Sequence, residues 1–175
     1  MVTQTIAQRL RAGAIAAALC TMAILASTAL VGPVMAQAPS GALSDPQDVN
    51  GAAGVVAEIV QCKREGGVLS IRMRLRNTGN AAAQVRLTSH GNYDPYYVTA
   101  ANKKYLVLRD SEQMPLASPV NWRASEPDFA GVMADLPKGG SFTWYAKYPA
   151  PPAEVKKITY YTPITPPFED VPISD

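Results

Sequence analysis

An alternation with a period of two, in residues 68–77 (VLSIRMRLRN), constrains the fold of this chain most strongly. Apolar residues occupy every second position from Leu69 to Leu75, and the positions between them are polar, including Arg72, Arg74 and Arg76. Successive side chains of a strand point to opposite faces, whereas a helical stripe needs apolar residues three and four apart. The pattern therefore predicts a strand with one buried face and one face in water.

Similar patterns recur at short intervals along the chain. The predicted strands are 55–62, 68–77, 83–88, 96–99, 105–109, 141–148 and 156–162. The Gly-containing segment 77–80 predicts a hairpin of 68–77 with 83–88, and residues 100–103 predict a second hairpin. About seven short strands without a helix indicate an antiparallel β-sandwich over residues 55–175. Residues 110–140 carry only a candidate strand at 132–133, and this long stretch is a candidate for function or an irregular strand.

Residues 1–36 predict a secretory signal peptide. Arg9 and Arg11 precede an uncharged apolar stretch at 12–31, and Val34-Met35-Ala36 offers small residues for cleavage after Ala36. The alternative is a retained membrane anchor, because about 20 apolar residues can span a bilayer. Residues 37–54, rich in Ala, Gly, Ser and Asp, predict a flexible leader before the domain. A periplasmic or secreted location follows from this interpretation.

Removal of the signal changes the charge and the cysteine count. Two of the 16 basic residues lie in 1–36, so residues 37–175 contain 14 basic and 14 acidic residues. A balanced chain without a basic excess is a poor candidate for binding nucleic acid. Cys62 is the single cysteine left, so it is either a buried thiol, the favoured alternative, or an intermolecular link.

The proline-rich segment 165–175, TPPFEDVPISD, predicts an edge strand that closes one end of the fold. Proline cannot donate to a central ladder, so the segment is expected along an edge or across an open end. Phe168 and Ile173 are then expected to enter the apolar interior, with Glu169 and Asp170 in water or near an arginine. A recognition motif for a partner is the alternative.

Three motifs carry a resemblance to a known family. They are YYVTAANKKYLVLRD at 96–110, LPKGGSFTWYAKYPAPP at 136–152 and TPPFEDVPIS at 165–174. In these motifs the chain resembles a family of extracytoplasmic bacterial domains of unknown function with an immunoglobulin-like sandwich. Some relatives are joined to envelope modules such as the peptidoglycan-binding domain of OmpA-like proteins. The resemblance implies a fold and an envelope location, and it lends no catalytic residue.

Catalytic and metal-binding signals are weak. His90 is the single histidine, and a triad with Cys62 as nucleophile would need three separate segments to converge without an oxyanion motif. Structural zinc needs several Cys or His ligands, and the methionines are scattered. We therefore expect a non-enzymatic protein without a metal or cofactor.

Two groups of side chains remain as binding candidates. Arg72, Arg74 and Arg76, with Arg86 expected across the hairpin, form a basic stripe that could meet an acidic polymer or lipid head group. The favoured interpretation of the stripe is a solvated face paired with acids such as Glu58. The second group is aromatic, and one residue of each neighbouring pair is expected to face outward, where rings stack on sugars or anchor protein contacts. These aromatic candidates are Tyr93, Tyr96, Tyr97, Trp122, Tyr145, Tyr160 and Tyr161.

The sequence thus predicts a periplasmic or secreted, non-catalytic binding or structural domain of the cell envelope that acts through protein contacts. A carbohydrate-binding module that recognises envelope glycan through surface aromatics is the alternative. The partner is predicted to be an envelope protein or a glycan, with membrane contact restricted to an uncleaved signal.

Overall fold

The computed structural model describes residues 41–118 and 131–175, and every regular element in these ranges is a β-strand. The strands are β1 (Gln47–Asp48), β2 (Val55–Glu65), β3 (Val68–Asn77), β4 (Ala83–Arg86), β5 (Tyr97–Ala100), β6 (Lys103–Leu106), β7 (Ala117–Ser118), β8 (Met133–Leu136), β9 (Ser141–Pro149), β10 (Lys157–Tyr161) and β11 (Phe168–Pro172). Within the same ranges no helix is long and apolar enough to cross a membrane. The predicted signal peptide and the leader up to residue 40 lie outside the described residues. The rest of the predicted flexible leader, 41–54, is part of the fold, because it contains β1, which pairs with β2, and buries Val49 and Ala52.

The strands form three antiparallel sheets. A five-stranded sheet has the order β1-β2-β3-β9-β7, a four-stranded sheet has the order β11-β10-β5-β6, and β4 pairs with β8. The all-β antiparallel prediction is therefore confirmed. Eleven strands are present in the described ranges instead of about seven. Two of them, β1 and β7, were not predicted, because strands of two residues are too short to show an alternation.

The long β2–β3 hairpin is the centre of the five-stranded sheet. Its turn uses Gly66 and Gly67, whose φ angles of 56° and 81° lie in the left-handed region that glycine adopts without strain. Pairing then runs without interruption in β3 from Val68 to Asn77, with a bulge on the β2 side between Ile59 and Gln61. The predicted alternation is confirmed, since the apolar residues at every second position from Leu69 to Leu75 are fully buried.

The inner faces of the two larger sheets meet through aromatic side chains. Trp144 of β9 stacks on Tyr96 with ring centroids 4.2 Å apart. The Trp144 indole N–H also donates to the hydroxyl of Tyr160 in β10 over 3.1 Å. Tyr148 of β9 meets the Tyr160 ring edge-on at 5.9 Å. These contacts join one sheet to the other across a buried interior, as in a β-sandwich.

One of the two predicted hairpins is wrong. Residues 68–77 do not pair with 83–88, because both edges of β3 are occupied by the longer strands β2 and β9. The Asn77 side chain instead turns the chain away, donating to the carbonyl of Ala81 at 2.8 Å and of Leu136 at 3.0 Å. A short Gly-containing connection is a local signal, and two long ladders outweigh it.

The second predicted hairpin is confirmed. β5 pairs with β6 from Tyr97↔Leu106 to Ala100↔Lys103, so the connection consists of Ala101 and Asn102. Both residues have positive φ, 48° and 59°, as a two-residue turn of type I′ requires. This turn fixes which side chains of β6 lie beside those of β5. With this turn, β6 begins two residues before the predicted strand 105–109 and ends three residues before its end.

The proline-rich tail is an edge strand, as predicted. β11 lies at the edge of the four-stranded sheet, and Phe168 is only 1% exposed, whereas Glu169 and Asp170 are exposed. Ile173 is half-buried and packs against the core. Burial of a phenylalanine of this kind stabilises the fold by about 2–3 kcal/mol. The tail therefore belongs to the interior of the sandwich on one side and to water on the other.

Arg64 ties the tail to the five-stranded sheet. The backbone N–H of Arg64 donates to the carbonyl of Ser174 at 2.8 Å, and its guanidinium contacts the Asp175 carboxylate at 2.7 Å. The same guanidinium donates to four carbonyls in residues 151–155 at 2.7–3.2 Å. The ion pair with Arg64 lowers the pKa of the Asp175 carboxyl. One side chain thus holds three separate segments at this end of the domain.

Candidate functional site

The pleat of β5 and β10 divides the two predicted tyrosine pairs between the inside and the outside of the sandwich. Tyr161 lies opposite Tyr97 in the register, and Tyr160 lies opposite Val98. Tyr160 and Val98 are fully buried, whereas Tyr97 and Tyr161 are half-buried. One member of the 160–161 pair therefore faces out, and the residue preceding Tyr97 is buried as well.

Tyr96 and Tyr160 belong to the core and correct the list of predicted surface residues. Neither has exposed surface, because each precedes its outward neighbour by one position and so points inward. The Tyr96 hydroxyl donates to the carbonyl of Leu87 at 2.6 Å, and the Tyr160 hydroxyl accepts from Tyr148 at 3.2 Å. Burial raises the pKa of all three phenols above its ordinary value. They stabilise the interior and offer no platform to a ligand.

The outward side chains of β5, β6 and β10 form a surface that we call the tyrosine face. Its members are Tyr97, Thr99, Lys104, Leu106, Thr159 and Tyr161. The rings of Tyr97 and Tyr161 stack with centroids 4.5 Å apart and planes 9° apart, and the Lys104 ammonium lies 3.8 Å from the Tyr97 centroid. Leu106, opposite Tyr97, is 44% exposed and is the exposed large hydrophobic side chain of the described residues.

Tyr97 is enclosed on both sides. Lys104 comes from β6 and Tyr161 comes from β10, and these strands flank β5 on opposite sides. The cation and the neighbouring ring therefore cover the two π-faces of Tyr97, which leaves its edge and hydroxyl toward solvent. A sugar stacking flat on an aromatic ring would have to use Tyr161.

A shallow polar pocket of about 310 Å³ lies at one end of the tyrosine face. Its lining includes the hydroxyl residues Thr99 and Thr159 and the turn residue Asn102. Lys157 and Asp170, which also line it, form an ion pair at 3.5 Å. Hydroxyl, amide and charged groups together can donate and accept hydrogen bonds in several directions. Such a set suits a ligand with many hydroxyl groups.

The outer face of the five-stranded sheet carries the predicted arginines. We call Arg72, Arg74 and Arg76 the arginine stripe, since they lie at alternate positions of β3. The Nε atoms of Arg74 and Arg76 donate to the same oxygen of Glu58, Oε1, at 2.8 and 2.9 Å. The predicted pairing with Glu58 is confirmed. Glu58 is fully buried, however, and not a solvated surface acid.

The charges of the stripe are only partly neutralised. One carboxylate serves two guanidinium groups. Its second oxygen, Oε2, has no hydrogen-bond partner in the part of the chain that the structure describes, and the same holds for Nη2 of Arg74. Arg72 is exposed and makes no ion pair with the described residues, and its guanidinium carbon lies 5.9 Å from the centre of the Tyr145 ring. Arg86 is not part of the stripe, because β4 pairs with β8 and not with β3.

Cys62 and His90, the two named members of the hypothetical catalytic triad, differ in burial. Cys62 is a buried free cysteine, as the favoured interpretation predicted, and burial raises the pKa of its thiol to about 12. A nucleophilic cysteine needs the opposite shift. His90 is exposed in a loop with φ of 49°. Within residues 41–118 and 131–175, no group of three His, Cys, Asp or Glu side chains could hold a metal ion.

Some functional candidates lie elsewhere than the sequence suggested. Trp122 falls outside the described residues. Lys104 and Leu106 were not predicted to belong to a site, although the hairpin turn contained the signal. With Ala101 and Asn102 in the turn, Leu106 must lie opposite Tyr97 and on the same face of the sheet.

No family model, no curated protein and no solved structure matches this chain.

Proposed function

We propose that this chain is an exported, non-catalytic binding domain of the bacterial envelope, with an immunoglobulin-like sandwich, that contacts a partner protein through the tyrosine face. The observation that carries this proposal is the row formed by Leu106, Tyr97 and Tyr161 across three neighbouring strands. Export rests on the sequence of residues 1–36, and the immunoglobulin-like assignment rests on the resemblance of three motifs. The antiparallel sandwich is compatible with that assignment.

The chemistry of the row suits a protein interface. Tyrosine is enriched in such interfaces because its ring covers apolar surface while its hydroxyl bonds to polar groups. The Tyr97 ring is already held between Lys104 and Tyr161. A side chain that is fixed before binding loses little conformational entropy when a partner arrives. Leu106 adds an apolar contact beside it.

A second candidate function is recognition of an envelope glycan. The pocket lined by Thr99, Asn102 and Thr159 favours it, because these side chains bond well to hydroxyl groups. Tyr161 stands next to this pocket, since it lies two residues beyond Thr159 on the same strand. The two candidates use adjacent parts of one face, so one set of variants separates them.

The test of the first candidate is site-specific photo-crosslinking in cells that make the full-length protein. A photo-reactive amino acid is placed at position 106, in an otherwise unchanged chain and in a Tyr161→Ser chain. We expect one discrete adduct with an envelope protein, strongly reduced by Tyr161→Ser. The same photo-reactive group at position 86, on the separate β4–β8 sheet, is the matched control.

The outcomes separate the two candidates. No adduct from position 106, or equal adducts from 106 and 86, contradicts the protein interface. Co-sedimentation of the protein with insoluble cell-wall glycan, reduced by Thr159→Ala and unchanged by Leu106→Ser, would establish the glycan candidate instead. Retention that is equal in both variants contradicts the glycan candidate.

A further inference from the structure

The outer face of the five-stranded sheet has more basic than acidic side chains. The arginine stripe contributes three guanidinium groups, and among the described residues Glu58 is the one acid that pairs with them. Lys63 and Lys147 extend the same face, because they pair with Ser70 on either side of β3. Lys63 forms an ion pair at 3.1 Å with Glu65, which lies opposite Val68 on this face. An exposed cluster of like charges repels itself and weakens the folded state, and an anion that binds the cluster removes this repulsion.

Glu58 arranges the stripe for binding. It engages Arg74 and Arg76 through their Nε atoms at 2.8 and 2.9 Å. The exposed fractions of the Arg74 and Arg76 side chains are 30% and 31%, and Arg72 is exposed. Guanidinium groups held in this way lose less freedom when an anion binds them. Because their Nε atoms are used by Glu58 and Nη2 of Arg74 is buried, Arg72 is, in the described part of the chain, the group of the stripe with its whole planar edge free for a carboxylate.

The groups beside the stripe are suited to a sugar. Gln61 and Tyr145 flank Arg72 on the two neighbouring strands, and Thr143 lies opposite Arg74. Amide and hydroxyl side chains bond to sugar hydroxyls, and the half-buried Tyr145 ring offers an apolar surface to C–H groups. Alternate residues of a strand are about 6.8 Å apart, so the charges form a line and not a compact cup.

We propose that the arginine stripe is a binding site for a linear acidic polysaccharide, whose carboxylate groups pair with the guanidinium groups along β3. Glycan chemistry is favoured over nucleic acid for two reasons. The chain is balanced in charge over residues 37–175, and Asp48, which is exposed and pairs with Val56, lies on the same face. A phosphate backbone requires a broad basic surface, whereas spaced carboxylates require separate guanidinium groups.

The experiment measures binding of oligogalacturonate to the full chain by titration calorimetry at low salt. We expect saturable binding that weakens as salt is raised, since the groups are exposed. Arg72→Gln is expected to weaken binding at least fivefold. Glu58 bonds to Arg74 and Arg76, so replacement of Arg72 leaves these buried ion pairs intact. Circular dichroism of each variant establishes that it is folded.

The matched control is Arg86→Gln, which removes an exposed arginine from the β4–β8 sheet and is expected to leave binding unchanged. The proposal is overturned by absence of binding in the unchanged chain, or by equal losses in the two variants, which would show diffuse attraction. It is overturned equally if the neutral methyl ester of the oligosaccharide binds as well, or if an oligonucleotide or an anionic lipid vesicle binds more tightly and depends on Arg72.

Discussion

Tyr160 and Tyr161 are neighbours in the chain, yet they lie on opposite faces of one sheet and make different contacts. Tyr160 is fully buried and accepts hydrogen bonds from Trp144 and Tyr148. Tyr161 is half-buried and stacks on Tyr97 at the surface. On the inner face the phenol accepts hydrogen bonds from buried donors between the sheets, and on the outer face the ring belongs to the contact surface that we propose.

The comparison shows that aromatic residues on the inner and outer faces of one strand can be changed independently. A strand alternates its side chains, so a change at one position affects one face and leaves the other in place. The interior aromatics are fixed by packing across two sheets, whereas the outer aromatics are fixed by a stack and a cation. Matched substitutions at neighbouring positions therefore test the separation directly.

The largest effect is expected at high pH and acts on the interior. Cys62 has a pKa raised to about 12, and the pKa values of Tyr96, Tyr148 and Tyr160 are also raised by burial. The unfolded chain loses these protons at about pH 9–10, whereas the folded chain keeps them. Stability therefore falls as pH rises above that range, by about 1.4 kcal/mol per pH unit for each group.

The measurement is urea unfolding between pH 8 and pH 11.5, followed by circular dichroism and phenolate absorbance. We expect the phenolate signal of the buried tyrosines to appear together with the loss of β structure. A full phenolate signal from a chain that stays folded would contradict the buried assignment. Because Cys62 is buried, its thiol is expected to react with a thiol reagent only under unfolding conditions.

Truncation of the two neighbours should give the next largest contrast. Tyr160→Ala is expected to lower the free energy of unfolding by about 3–5 kcal/mol, because it opens a cavity between the sheets. Tyr161→Ala removes a surface stack and should lower the same quantity by about 0.5–1.5 kcal/mol. Chemical denaturation measures both. Equal losses would mean that the two faces are not energetically distinct.

Removal of the hydroxyl alone sharpens the comparison. Tyr160→Phe leaves the Trp144 indole N–H and the Tyr148 hydroxyl without their acceptor, which costs about 1–3 kcal/mol for buried donors. The Tyr161 hydroxyl makes no hydrogen bond to the described residues, so Tyr161→Phe should change stability by less than about 0.5 kcal/mol. Thermal and urea unfolding of the pair would measure the difference, and a larger loss in Tyr161→Phe would contradict it.

The smallest expected effect concerns the cation on the tyrosine face. Lys104→Ala removes the ammonium that lies 3.8 Å from the Tyr97 centroid and should destabilise the fold by about 0.5–1 kcal/mol. Lys103→Ala is the matched control, because Lys103 is also exposed and its cross-strand partner Ala100 is buried on the opposite face. Equal losses in the two variants would show that the contact contributes nothing measurable.

Much of the fold could be predicted from local patterns, and the site could be predicted only in part. Three features could be predicted because each depends on a few adjacent residues. They are the alternation of 68–77, the turn at Ala101 and Asn102, and the proline-rich edge strand. The failed hairpin of β3 with 83–88 was not, since it depended on competition from strands distant in sequence. Glu58 was predicted as a partner of the arginines, but its complete burial was not.

The sequence by itself determined the period of the strands, the places where they turn, and which residues share a face. It left open which strands become neighbours, and so which tyrosine of each pair is covered by the opposite sheet. Tertiary structure decided that Tyr160 meets Trp144 in the interior and that Tyr161 meets Tyr97 outside. The physical reason is that the pleat is a local property of the chain, whereas burial depends on sheets formed by segments far apart in sequence.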